Sequence, residues 1–88
     1  MEISWDPRKR EMLRNSREID LDEIKGLIEA GKYFEVLENP SRPDQYLLPL
    51  EYKSYVHVVV VKIEAEQMTI KTCYPSRKAH KKYQGAKK

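Results

Sequence analysis

Near the C-terminus the segment PSRKAHKKYQ sets Arg77, His80, Lys81 and Gln84 three and four residues apart, the spacing that brings side chains onto one face of a helix. Residues of these types can bind an anion and move a proton, and metal-free cleavage of RNA is one reaction they could serve if the anion is RNA. The reaction needs a base to take the 2′-hydroxyl proton, cations to offset charge building on the phosphate, and an acid for the leaving 5′-oxygen. Arg77 fits the second task, because its planar fork meets two phosphate oxygens at once. His80 fits proton transfer, and Lys78, Lys81 and Lys82 fit contacts with an RNA backbone. Ser76 can cap this helix, whose first free N–H groups add to an anion site. A surface ion pair for Arg77 and a solvated position for His80 are the readings without chemistry.

The charge distribution favours a polyanion. The chain has 88 residues and a net charge of +3. Residues 1–70 hold 10 Lys/Arg against 14 Asp/Glu, whereas residues 71–88 hold 7 against none. Charge segregated in this way makes a local positive field. At this length one domain with one core, spanning 1–88, is expected, with residues 85–88 as a tail. Cys73 is alone, which excludes an internal disulfide and fits a reducing cytoplasm. Cys73, His57 and His80 lack the paired spacing of a structural metal site, so neither metal nor cofactor is expected. No segment reads as a signal peptide or membrane span.

The elements that must position these residues read as β-α-α-β-β-β-β-α. EISW is a strand with Ile3 and Trp5 on one face, and Asp6-Pro7 starts a basic helix carrying Lys9, Met12, Leu13 and Arg14. Asp20 starts a second helix, with Glu23 completing a capping-box variant, an apolar stripe of Leu21, Ile24, Leu27 and Ile28, and Gly31 at its end. Strands are expected over 33–37 and 45–52, the latter with Pro49 at an edge or bulge. YVHVVVVKIE, apolar on both faces, is the central strand. QMTIKTCY follows, with Met68, Ile70, Thr72 and Tyr74 on one face, and then a helix from Ser76 through Gln84. Short connections imply an antiparallel sheet with the two N-terminal helices on one face and a short C-terminal helix, an α+β fold.

The remaining candidates carry weaker signals. His57, inside YVHVVVVK, reads first as a packed cross-strand residue and second as a catalyst. Tyr83 suits packing of the last helix on the sheet. Arg14 is a further RNA contact, and Lys53, at a strand turn, has only its charge. Tyr33, Tyr46, Tyr52 and Tyr55 can stack on bases, although strands favour Tyr for packing alone.

Two segments carry a family resemblance. WDPRKRE followed by EIDLDEI is similar to the opening of BrnT-type toxins, and IKTCYPSRKAHKKY resembles their ending: a strand, then a helix with Arg, Ala, basic residues and Tyr, here Arg77, Ala79, Lys81, Lys82 and Tyr83. The resemblance covers both ends and the order of elements between them. It implies a RelE-like fold and the toxin of a type II toxin–antitoxin pair. Such a protein would be a metal-independent endoribonuclease that cuts free or ribosome-bound RNA, with a cognate antitoxin as partner. Lys9 matches the family's first-helix lysine and joins the catalytic candidates on that ground. Between the first two helices the family carries a Lys-His-Gly run, where this chain has Asn15-Ser16-Arg17-Glu18. A non-catalytic RNA-binding or ribosome-associated domain is the alternative.

Overall fold

Tyr55–Glu64 has apolar residues on both faces, as a strand covered on both sides requires, and it forms the middle of a five-stranded sheet. The structure, a computed structural model, describes residues 1–85. In chain order it comprises β1 (Glu2–Trp5), α1 (Pro7–Arg17), α2 (Leu21–Glu29), β2 (Leu37–Glu38), β3 (Gln45–Tyr52), β4 (Tyr55–Glu64), β5 (Gln67–Pro75) and α3 (Arg77–Gly85). Gly85, expected to begin the tail, is the last helical residue, and residues 86–88 lie outside the described part.

The sheet runs β1-β5-β4-β3-β2. The neighbours β2/β3, β3/β4 and β4/β5 are antiparallel, but β1 pairs parallel to β5, with Ile3 beside Met68 and Trp5 beside Ile70. The expectation of a wholly antiparallel sheet is therefore corrected to a mixed one. Short turns dictate direction only between strands they join, and more than sixty residues separate β1 from β5.

Local chemistry accounts for the helix ends. The Asp6 carboxylate accepts the Arg8 N–H and the Asp20 carboxylate accepts the Asp22 N–H, each at 2.9 Å. Gly31, at φ 70°, closes α2, with the Lys32 and Gly31 N–H groups returning to the Leu27 and Ile28 carbonyls. Leu13, Ile19, Leu21, Ile24 and Ile28 pack against Ile3, Leu48, Leu50, Tyr52, Val59, Val61, Met68, Ile70 and Cys73, so α1 and α2 share one face of the sheet. Across that face α1 also closes the edge of β5 beyond the end of β1, where Arg17 Nη1 donates to the Cys73 carbonyl at 2.8 Å. The opposite face presents Leu47, Pro49, Val58 and Tyr74 to α3.

Two further expectations are corrected. Of the strand expected over 33–37, only Leu37 joins β2, while Phe34 N–H donates to the Pro49 carbonyl at 2.8 Å. That bond shows which way Pro49 faces: its missing N–H lies on the outer edge, where no ladder bond is lost. In β5, Val60 pairs with Thr72 but Val61 pairs with Ile70, leaving Lys71 as the extra residue of a bulge. The bulge splits the expected Met68-Ile70-Thr72-Tyr74 face. Met68, Ile70 and Cys73 enter the core, and Tyr74 emerges 36% exposed on the other side.

Burial pushes the Cys73 thiol up to about 12, against a small opposing pull from Arg17. At pH 8 only about one thiol in ten thousand would then be ionised. Iodoacetamide should leave Cys73 unmodified in the folded protein and label it in urea, as read by mass spectrometry. Equal labelling rates in both states would contradict this burial.

Candidate nucleic-acid interface

α3 leaves β5 at Ser76, whose N–H donates to the Val56 carbonyl at 3.0 Å and whose Oγ accepts the Ala79 N–H at 3.1 Å. This N-cap sets the helix across the end of β4. Its apolar side then settles over the groove of about 410 Å³ lined by Leu47, Pro49, Val58, Tyr74, Ala79 and Tyr83.

The far end of α3 is pinned. Tyr83 stacks on Phe34, with ring centroids 4.6 Å apart and planes at 10°, and its hydroxyl donates to the Glu35 carboxylate. Lys82 pairs with Glu35 at 3.4 Å and lies 5.1 Å from the Tyr83 ring centroid. The Tyr83 bond and then Lys82 hold the Glu35 carboxyl below its ordinary range, while burial raises Tyr83. Lys82 is thereby partly neutralised, and Tyr83 serves the packing expected of it. Arg77, Lys78 and Lys81 stay exposed, without ion pairs to any described residue.

His80 is placed differently from a solvated helix residue. Its Nδ1 accepts the Val56 N–H at 3.2 Å, and its ring lies flat on Tyr55, 4.1 Å between centroids and 7° between planes. In effect the imidazole continues the β5 ladder, occupying an amide that β5 no longer reaches. His57, paired with Leu50, lies on the face that α1 and α2 cover and is 8% exposed. Its Nδ1 is 2.9 Å from the Tyr55 carbonyl, and its ring meets Tyr52 and Tyr55 edge-on at 5.3 and 6.3 Å. The rings therefore run Tyr52, His57, Tyr55, His80 around the first residues of β4. Nothing local distinguishes Tyr55 from Tyr33, Tyr46 and Tyr52, because its partner His80 is 25 residues away.

Lys53 and Arg14 stand at the same end of the sheet. Lys53 (φ 52°) and Ser54 (φ 65°) form the left-handed two-residue turn closing Tyr52 against Tyr55. Lys53 Nζ donates to the Glu18 carbonyl at 2.9 Å, and Arg14 approaches Asp20 at 3.9 Å. Both cations are thus partly engaged. Lys9 is not with them: it lines a small hollow with Asp6, Thr69, Ile70 and Lys71. From Lys71 to Pro75, the end of β5, the strand covers about 13 Å, and among the described residues no bond or shared hollow brings Lys9 together with Arg77 or His80. At the other end of β5 the turn into it exposes Glu64 and Glu66, with Glu2 paired beside Gln67.

Among the described residues no group of three or more His, Cys, Asp or Glu side chains gathers to hold a metal ion, and no helix is long and apolar enough to cross a membrane. The chain matches no protein-family model, no curated protein and no solved structure.

Proposed function

We propose that the domain binds RNA across the exposed face of α3 and cleaves it without a metal ion, as the toxin of a toxin–antitoxin pair with a RelE-like fold. One observation carries the reading: Arg77, Lys78 and Lys81 are exposed and unpaired beside the Tyr55–His80 stack, in a segment with no acidic residue. Cations follow a phosphate backbone, and the outer face of a half-buried ring pair such as Tyr55–His80 can accept a base. Arg77 is the cation that meets the scissile phosphate. The antitoxin would silence the domain by covering this same basic face.

A second reading has an observation of its own. Because His80 Nδ1 is engaged by the Val56 amide and Lys9 lies elsewhere, two of the three residues expected to cut are not free to do so together. A domain that binds RNA without cutting it accommodates that arrangement.

Purified protein and a labelled RNA separate the two. Three engaged cations should give a log–log dependence of affinity on salt with a slope of about −2 for a single strand. Arg77→Ala should flatten it by about 0.7 and reduce cleavage about 100-fold or more. Salt-sensitive binding with intact RNA would leave the second reading standing. Affinity indifferent to salt would remove both.

A further inference from the structure

We infer that His57, rather than His80, supplies the base that accepts the 2′-hydroxyl proton; the inference rests on the RNA-cleaving reading above. The hydrogen bonds of the two histidines define opposite tautomers. A carbonyl oxygen only accepts, so the 2.9 Å contact between His57 Nδ1 and the Tyr55 carbonyl places the proton on Nδ1. The lone pair of His57 is then on Nε2. An amide N–H only donates, so the 3.2 Å contact between Val56 N and His80 Nδ1 places the lone pair of His80 on Nδ1, already engaged, and its proton on Nε2. Neutral His80 therefore offers an N–H outward, and neutral His57 offers a proton acceptor.

The acceptor is also unpartnered, in a ring that is 8% exposed. His57 Nε2 makes no hydrogen bond to a described residue. No buried side-chain nitrogen or oxygen among the described residues lacks a partner, so Nε2 is not sealed from solvent. Edge-on contacts with Tyr52 and Tyr55, together with the Nδ1 bond, fix the ring in place. A base held in one tautomer and one orientation loses no reorganisation energy when the substrate arrives. His57 pairs across the ladder with Pro75, two residues ahead of Arg77, and its ring and that of His80 flank Tyr55. This is the end of the sheet where the free cations stand.

In the step assigned to it, His57 Nε2 takes the 2′-hydroxyl proton as the 2′-oxygen bonds to phosphorus and the phosphorus–O5′ bond breaks. Water protonates the departing O5′, and the imidazolium returns its proton to solvent. The products are a 2′,3′-cyclic phosphate and a 5′-hydroxyl. His80 Nε2–H is positioned as a hydrogen-bond donor, not as the base.

The asparagine substitution isolates the atom in question. His57→Asn keeps an N–H where Nδ1 donates to the Tyr55 carbonyl and deletes Nε2. Cleavage of a purified RNA should fall at least about 100-fold, with RNA affinity and melting temperature unchanged. In His57→Ala, added imidazole should restore cleavage about tenfold or more, which a purely structural role would not give. His80→Asn, whose Oδ1 can accept the Val56 N–H, should lose less than about tenfold. If His57→Asn cuts as wild type does while Arg77→Ala is inactive, the base assignment is overturned and the cleavage reading survives. Should His57→Asn melt early, the imidazole experiment decides, and no rescue counts against the proposal. A wild type that binds RNA without cutting it ends both.

Discussion

Leu13→Ala is expected to destabilise the domain by about 3.5 kcal/mol, the middle of the range for a buried leucine that leaves a cavity. α1 is strongly basic, and Leu13 is its one buried residue, with no exposed surface. Helices of this length draw most of their stability from the apolar face they bury, so here a single side chain carries the docking. A domain of this size has roughly 4–13 kcal/mol in total, so the loss is a large share of it. Urea unfolding followed by circular dichroism measures the change directly. The effect extends beyond the helix, because α1 also brings Arg17 to the Cys73 carbonyl. Alkylation of Cys73 should accelerate in the variant below the main unfolding transition. A loss under about 1 kcal/mol would show that α1 is held by its polar contacts instead.

Tyr52→Phe is expected to cost about 2 kcal/mol although the ring, and hence most of the packing, is retained. The Tyr52 hydroxyl donates to the Glu23 carboxylate at 2.6 Å and accepts the Asp20 N–H at 3.1 Å. A capping box joins the third helical residue directly to the N-cap amide; here the phenol stands between them and ties the start of α2 to β3. Phenylalanine would leave a carboxylate without its donor and an amide without its acceptor, and a hydrogen bond to a charged group contributes about 1.5–3 kcal/mol. Burial and then the Glu23 bond push the phenol up to about 12 from the ordinary 10. In the unfolded chain it ionises first, so its contribution is whole below pH 10 and is lost as pH rises from 10 to 12. Unfolding curves across that interval should decline for wild type, and less so for the phenylalanine variant. Identical pH dependence in the two proteins would refute the relay.

Features decided within a few residues were readable from the sequence. Asp6-Pro7, Asp20, Gly31 and Ser76 act through bonds to amides or carbonyls no more than five positions away, and the helix ends they mark fall beside them, whereas the left-handed Glu18 that ends α1 has no such signal. Features decided by distant partners were not. The direction of β1 depends on β5, the short β2 on β3, and the phase of β5 on where Val60 and Val61 find their partners. Lys53 and Ser54 carry none of the Asn-Gly chemistry that announces a left-handed turn; the pairing of Tyr52 with Tyr55 imposes it. At the candidate site the cations were evident from composition. The opposite tautomers of His57 and His80 were not, since each depends on where a backbone group comes to rest.

Lys62 pairs with Glu64 at 2.8 Å, but exposed Glu2 and Glu66 remain at one end of β5 and the cations of α3 at the other, which makes the molecule a lever in an electric field. The two ends are about 30 Å apart at strand rise, well beyond the screening length of about 8 Å at physiological salt. Near a polyanion one end is drawn in and the other pushed away, so the domain experiences a torque as well as a pull. Within a screening length of such a surface, the torque would favour an approach with α3 leading.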